Sequence, residues 1–253
     1  MSLESITSGS VQYHGNVTDD VKPQTRRDRA RATRRRIAGA ALRSFSELGY
    51  AATTMDAVAR EAGVAVQTVY FTFHTKAELL IASLEIAGGE PGSPGVVMER
   101  AWIGRVIEAT TVSRRLALIV EHSNEIYARV GPLLGAVSAA ASVDPEVDQA
   151  WRGVVARRRA GMSQIIELFA ARGELRDGLD PALALDLLFG INRAETYLAF
   201  TLECGWPMAR YKAWQFATLV RQLLPAEIAQ DVLASGSADV ADMSFRDELA
   251  LFV

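Results

Sequence analysis

The sequence is poor in the residues that build redox, metal and nucleophilic sites. It has one cysteine, Cys204, which cannot form an internal disulfide and suits a reducing compartment. Its three histidines lie in different segments, and the single helical pair of His122 and Glu125 is by itself no metal site. There is also no Gly-x-Ser-x-Gly motif, no phosphate-binding loop and no cysteine–histidine pairing. The sequence therefore predicts no enzyme, no metal site and no cofactor.

Long hydrophobic runs are missing as well. No apolar stretch approaches the roughly 20 residues that a helix needs to cross a bilayer. The first 21 residues are polar and acidic, without the basic start and apolar middle of a signal peptide. We therefore expect a cytoplasmic protein with no membrane partner.

The net charge of -3 conceals a strong asymmetry along the chain. Residues 21–76 contain eleven basic and four acidic residues, a net charge of +7, so the remainder carries -10. A basic head on an acidic body indicates a polyanionic partner for the head alone. By composition alone, a solvated helix face explains the arginine run equally well.

Apolar residues recur at helical spacing along most of the chain, and no segment alternates as a strand would. The apolar residues from Ile37 to Leu48 share one helix face, which ends at Gly49. Asp144-Pro145 and Asp180-Pro181 each combine an N-cap acid with a proline at the first helical position. These patterns predict an all-α protein.

Composition divides this helical chain into five segments. The first 24 residues lack apolar periodicity, residues 88–95 are glycine and proline with two polar residues, and the chain turns polar and small after Pro225. We predict a disordered arm over 1–24, a basic helical domain over 25–87, a linker loop over 88–95, a larger helical domain over 96–228 and a flexible tail over 229–253.

Residues 53–80 carry the most specific pattern. Thr53 or Thr54 caps a short helix, and Gly63 supplies the backbone freedom for a tight turn. A second short helix begins at about Ala65, packs Val69 inward and leaves four side chains outside: Val66, Gln67, Tyr70 and Phe71. A helix, a glycine turn and a second helix are the arrangement that places a recognition helix in a DNA major groove.

The following helix begins at a capping box, Thr75-x-x-Glu78, with Lys76 in its first turn. The region from about residue 27 to residue 80 resembles the DNA-binding domain of the TetR family of repressors. The resemblance is carried by Val58-Ala59, Gly63-Val64, Thr68-Val69-Tyr70, Phe73, Lys76 and Glu78-Leu79. Two positions depart from the family pattern: Ala65 replaces a Ser or Thr and removes a side-chain cap, and Thr72 replaces a larger His or Tyr.

The resemblance implies roles in binding double-stranded DNA. Gln67 is the expected base reader, because its amide can pair with adenine. Val66 and Phe71 are expected to touch thymine methyls or sugars. Phosphate anchors are expected at Thr54, Thr68, Tyr70 and Lys76 and at the arginines between Arg26 and Arg36, Arg35 among them. For Tyr70, core packing is the alternative.

The resemblance also implies that the larger domain binds a ligand and forms a homodimer. The two late helices, Pro181–Cys204 and Met208–Leu224, suit a dimer interface, with a core inside one chain as the alternative. A two-fold dimer reads a palindromic operator with half-sites roughly 34–36 Å apart or a multiple of that.

The candidate pocket residues are aromatic and polar side chains of the larger domain: Trp102, His122, Glu125, Tyr127, Trp151, Arg158, Asn192, Glu195 and Tyr197. Asn192, Arg193 and Glu195 attract attention because polar groups within an apolar helix need partners, which a ligand, a water or a second subunit would supply. The implied function is a repressor that a small, largely apolar effector releases through movement of the helix Lys76–Ala87. The alternatives are an activator, or a helical interaction protein with a vestigial DNA-binding head.

Overall fold

The structure, a computed structural model, describes residues 25–88, 101–234 and 240–252. Every regular element in these ranges is helical, which confirms the predicted all-α class. None of the helices they form is long and apolar enough to cross a membrane. The predicted arm over residues 1–24 and the predicted linker beyond Gly88 lie outside the described residues.

Four helices form the N-terminal head: α1 (Arg26–Ala52), α2 (Met55–Ala62), α3 (Val66–Thr72) and α4 (Lys76–Ala87). Helix α1 begins at a capping box in which Thr25 and Asp28 each bind the other's backbone amide. It is interrupted at Gly49, whose φ of +77° lies in the left-handed region that favours glycine. The head is held by a core of fully buried side chains from all four helices: Ile37, Ala41, Phe45, Val58, Val69, Phe73, Leu79 and Leu80.

The body contains α5 (Ala101–Glu108), α6 (Val112–Ala141), α7 (Pro145–Ala171), α8 (Pro181–Ile191), α9 (Ala194–Leu198), α10 (Met208–Leu223) and α11 (Ala226–Ala234). A π-helical turn, Ala199–Glu203, follows α9, and a 3-10 helix, Arg246–Phe252, follows α11. Asp144 and Asp180 cap α7 and α8, each accepting two backbone amides with one carboxylate oxygen. The apolar core continues from the head into the body, because buried side chains of α6 join the head's cluster.

The late helix expected over Pro181–Cys204 is divided at Asn192. The backbone there leaves the helical region, with ψ at +41°. The Asn192 carbonyl accepts hydrogen bonds from the Tyr127 hydroxyl (2.6 Å) and from Arg158, so it does not continue the helical pattern. A side-chain network therefore decides where α8 ends.

The prediction of a flexible tail over residues 229–253 is wrong for the residues that the structure describes there. Val232, Val240 and Phe245 are buried in the body's core, and the ring of Phe245 lies 5.3 Å from that of Phe216 on α10. Lys212 of α10 further binds Glu121 and Ser244, so the tail is held between α6 and α10. The sequence conceals this docking because the apolar residues are few and do not form a helical stripe.

Candidate nucleic-acid interface and internal cavity

Helix α3 presents an uncovered outer surface. Phe71 is 86% exposed and Tyr70 50% exposed, although both are large aromatic side chains. Gln67 is also exposed, whereas Val69 on the opposite side is completely buried in the head's core. Val66 and Thr68 are half-buried at the edge. A short helix with its amide and aromatic side chains directed outward has the chemistry to meet base edges and sugars.

Helix α2 and the turn that follows it set the orientation of this surface. The Thr54 hydroxyl accepts the amide of Ala57 at 3.1 Å, which caps α2 and leaves its own proton available to a phosphate oxygen. Gly63 ends α2 with φ at +63°, a conformation that a side chain would strain. Ala65 precedes α3 without any side-chain cap, so the first amides of α3 lack the partner that a serine would supply.

Arg34 of α1 supports the C-terminal end of α3, a role that the sequence analysis did not assign. Its Nη1 donates to the Thr72 carbonyl at 3.2 Å, and its guanidinium lies 4.3 Å from the Phe73 ring centre. The Thr72 hydroxyl donates to the Thr68 carbonyl at 2.7 Å, within its own helix. Arg34 is therefore tied to the fold, whereas the neighbouring Arg35 is exposed and has no such contact in the described structure.

Lys76, an expected phosphate anchor, lies against the end of α1. Its Nζ donates to the Ala51 carbonyl at 3.3 Å and sits 4.4 Å from the Tyr50 ring centre. Burial lowers the pKa of this lysine, an effect that Asp144 partly offsets. The Tyr50 hydroxyl donates to the Asp144 carboxylate at 2.7 Å, so this group of residues joins the head to the first turn of α7.

A cavity of about 460 Å³ lies inside the body, bounded by α4, α5, α6, α7 and the segment between α8 and α9. Six of the predicted pocket residues line it: Trp102, His122, Tyr127, Trp151, Arg158 and Asn192. The Trp102 and His122 rings stack with their centres 4.3 Å apart. The volume and the mostly apolar wall are typical of small-molecule sites.

Three predicted pocket residues do not line this cavity. Glu195 is paired with Arg193 through two hydrogen bonds of 2.8 and 3.0 Å, and Glu125 is more than half exposed. Tyr197 is instead buried between the rings of Tyr127 and Tyr211. The sequence could not separate these residues from the others, because one helical turn decides which side faces the cavity.

The cavity wall also contains residues that the sequence analysis missed. Leu84 and Glu85 come from α4, and Arg157 and Gln164 come from α7. Glu85 and Arg157 form an ion pair across the two helices at 3.5 Å. A usable signal was present in α4, whose residues after Glu78 are apolar on nearly every side. Such a helix is covered all round, and here the head covers one part and the body another.

Asn192 finds its partners within the chain. Its Nδ2 donates to the Ser123 hydroxyl at 3.0 Å, and its Oδ1 accepts from Gln215 Nε2 at 3.0 Å. Gln215 Oε1 in turn accepts from Asn124 at 2.6 Å. Burial raises the pKa of Tyr127 to about 12, so its hydroxyl remains protonated and donates to the Asn192 carbonyl. This network holds the cavity floor together.

Comparisons with known proteins agree with this geometry. A family model described as bacterial regulatory proteins of the tetR family matches residues 37–83, and a tetracycline repressor-like C-terminal domain model matches residues 108–201. The two matches together cover more than half of the chain. No curated protein sequence matches significantly.

Solved structures share the fold. A structure described as a TetR-family transcriptional regulator from Mesorhizobium loti has 23% identity, covering 81% of this chain and 98% of its own, with a TM-score of 0.58. The SmeT–triclosan complex has 19% identity over 78% of this chain and 94% of its own, with a TM-score of 0.58. A transcriptional regulator from Saccharomonospora viridis bound to choline has 16% identity over 76% and 98%, also with a TM-score of 0.58.

Proposed function

Because the chain belongs to the TetR family of bacterial regulatory proteins, we propose that it is a repressor released from a palindromic operator by a small, largely apolar effector. Proteins of this family are DNA-binding transcriptional regulators and not enzymes. This confirms the predictions that the chain is a DNA-binding regulator and that it is not an enzyme. Two of the similar structures are complexes with small molecules, triclosan and choline, which supports an effector here. Because such a repressor acts on bacterial DNA, the cytoplasm is its proposed location.

The exposed side of α3 supports the DNA contacts. Gln67 is proposed to read a base, and the uncovered Phe71 to contact sugars or thymine methyls beside it. The exposed arginines of α1, with Arg35 among them, are proposed to hold phosphates. Lys76 keeps two further ammonium protons after its bond to Ala51, so it remains a proposed phosphate anchor.

The position of α4 carries the proposal of effector control. Leu79 and Leu80 are completely buried in the head's core, whereas Leu84 and Glu85, one turn later, line the cavity. A molecule that fills the cavity therefore touches the helix on which the head is packed. Such a molecule shifts the protein between two states only if it binds them unequally, so the proposal requires a lower effector affinity when DNA is bound.

The dimer is proposed to form through the outer sides of α8 and α10 and the turn after α9. Leu183 on α8 is 50% exposed and Leu202 after α9 is 73% exposed, both large apolar side chains. Light scattering after size exclusion measures the mass, and we expect Leu183→Glu and Leu202→Glu to produce monomers. Val143→Glu, at a residue 80% exposed between α6 and α7, is the matched control and keeps the dimer. Equal masses for all variants would place the interface elsewhere.

The function is tested by selecting bound sequences from a random DNA pool and titrating the selected site at several salt concentrations. A palindromic site whose affinity falls steeply with salt supports the proposal. Gln67→Ala then relaxes the preference at one base pair per half-site by about 1–3 kcal/mol, whereas Arg35→Ala weakens binding to all sequences alike. A pool without an enriched motif would contradict the operator. It would favour the alternative of a helical interaction protein, which the missing side-chain cap of α3 at Ala65 also supports.

A further inference from the structure

One arginine in the cavity wall has no carboxylate in direct contact among the described residues. Four arginines lie on its wall or immediately behind it, on α7 and at the start of α9: Arg157, Arg158, Arg159 and Arg193. Three of them have carboxylate partners: Arg157 pairs with Glu85, Arg159 with Asp186, and Arg193 with Glu195. Among the described residues, Arg158 has no carboxylate within 4.0 Å.

Arg158 is half-buried and faces the cavity. One of its nitrogens donates to the Asn192 carbonyl, and its guanidinium lies 5.4 Å from the ring centres of Tyr127 and Phe189. These contacts fix the position of the guanidinium, but they leave most of its five N–H donors without a protein acceptor in the described structure. A guanidinium held in this way is preorganised for a planar, two-oxygen anion.

A second donor without a partner lies in the same wall. Trp102 Nε1 is buried and has no hydrogen-bond acceptor among the described residues, and an indole N–H can only donate. Gln164 Oε1 is also buried, with no partner in the part of the chain that the structure describes, and rotation of its amide by 180° would present the NH₂ group to the cavity instead. The cavity therefore offers donors and a positive charge on an apolar and aromatic surface, and these favour a ligand with acceptor oxygens.

We propose that the effector is an apolar carboxylic acid, bound as its anion with the carboxylate on Arg158 and the apolar body along Trp102 and Trp151. This inference rests on the proposed function, in which the cavity is the effector site. A neutral ligand fits the wall less well, because filling the cavity would remove water from a guanidinium that has no carboxylate in direct contact among the described residues. A cationic ligand would add repulsion from the same group.

The test uses two acids, each with its uncharged amide of nearly identical shape. The pairs are 1-naphthaleneacetate with 1-naphthaleneacetamide, and octanoate with octanamide. Isothermal titration calorimetry of the full chain without DNA measures the dissociation constants. In at least one pair we expect the acid to bind tenfold or more tightly than its amide, since hydrogen bonds between ionised partners are about twice as strong as neutral ones.

Substitutions assign that preference to one residue. Arg158→Gln is expected to remove the preference for the acid. Arg158→Lys retains the positive charge and is expected to keep part of the preference, so it provides a second measurement if Arg158→Gln does not fold. Arg159→Gln is the matched control, because Arg159 is adjacent in sequence but pairs with Asp186 and does not line the cavity. This control keeps the full preference. Far-ultraviolet circular dichroism checks that each variant is folded.

The outcomes separate this inference from the proposed function. If neither acid binds more tightly than its amide, or if Arg158→Gln leaves the ratio unchanged, the carboxylate site is overturned. The operator selection is unaffected by either result, since the calorimetry contains no DNA. If the protein selects a palindromic operator but does not prefer acids, only the proposed ligand class is refuted. If it prefers acids but selects no operator, the carboxylate site is supported and the repressor function is refuted.

Discussion

The buried amide network on α10 makes a quantitative prediction about stability. Gln215 is fully buried, accepts from Asn124 at 2.6 Å and donates to Asn192 Oδ1 at 3.0 Å. Gln215→Met keeps the length of the side chain but removes its polar atoms. Asn124 Nδ2 still donates to the Val120 carbonyl at 2.8 Å, whereas Asn192 Oδ1 loses its donor. The buried Asn192 Oδ1 is therefore left without a donor, and the Ile191 carbonyl loses a longer contact of 3.4 Å from the same Gln215 nitrogen.

The expected loss follows from that acceptor. Leaving a buried polar group unsatisfied lowers the free energy of unfolding by about 1–3 kcal/mol, and the lost hydrogen bonds add about 1 kcal/mol. We therefore expect Gln215→Met to destabilise the protein by roughly 2–4 kcal/mol, which corresponds to a fall in Tm of about 5–15 °C for a chain of this size. The matched control is Gln222→Met on the same helix, where the glutamine is exposed and we expect almost no change.

Urea denaturation followed by circular dichroism at fixed protein concentration measures these differences, because the stability of a dimer depends on concentration. The double variant Asn124→Leu/Gln215→Met tests the network itself. Removing both partners of one hydrogen bond should destabilise the protein by less than the sum of the single changes, with a coupling of about 0.5–3 kcal/mol. A Gln215→Met protein as stable as the Gln222→Met control, or strictly additive effects, would refute the assignment of these contacts.

Three further predictions concern the tail, the response to acid and helix α3. Phe245→Ala should destabilise the protein by about 3–5 kcal/mol in urea denaturation, whereas Leu251→Ala should have little effect because Leu251 is mostly exposed. A Phe245→Ala protein of unchanged stability would mean that the tail does not pack against the body. Burial raises the pKa of Glu121, but hydrogen bonds from Lys212 and Ser244 outweigh this effect and hold the pKa below its ordinary 4.5. The contribution of these contacts to stability is therefore present above pH 4.5 and is lost as the pH falls. Glu121→Gln should make stability depend less on pH in the acid range, and an unchanged dependence would count against the contact. Ala65→Ser adds the missing cap of α3 and should stabilise the head by about 0.5–2 kcal/mol, as measured by thermal melting. It should also raise the affinity for DNA, as measured by gel shift. No gain in stability or affinity would show that the start of α3 needs no cap.

Local patterns in the sequence determined much of the fold and of the proposed DNA-binding surface. Asp144 and Asp180 announce the starts of α7 and α8, because an N-cap acid and a following proline act within one turn. Gly63 announces the turn before α3, because the left-handed conformation there depends on the residue itself. The outward direction of Gln67 and Phe71 follows from the buried Val69 and the helical period alone.

The tertiary structure decided whatever depends on residues distant in sequence. The break after α8 depends on Tyr127 and Arg158, which take the carbonyl of Asn192, and no local pattern at Asn192 reveals them. The docking of the tail depends on Phe216 and Lys212 of α10, which supply an apolar surface and a charge for the sparse apolar residues of the last segment. The cavity is the clearest case. Which side chains line it is set by the rotation of four helices about their own axes, and packing between helices, not helix propensity, fixes that rotation.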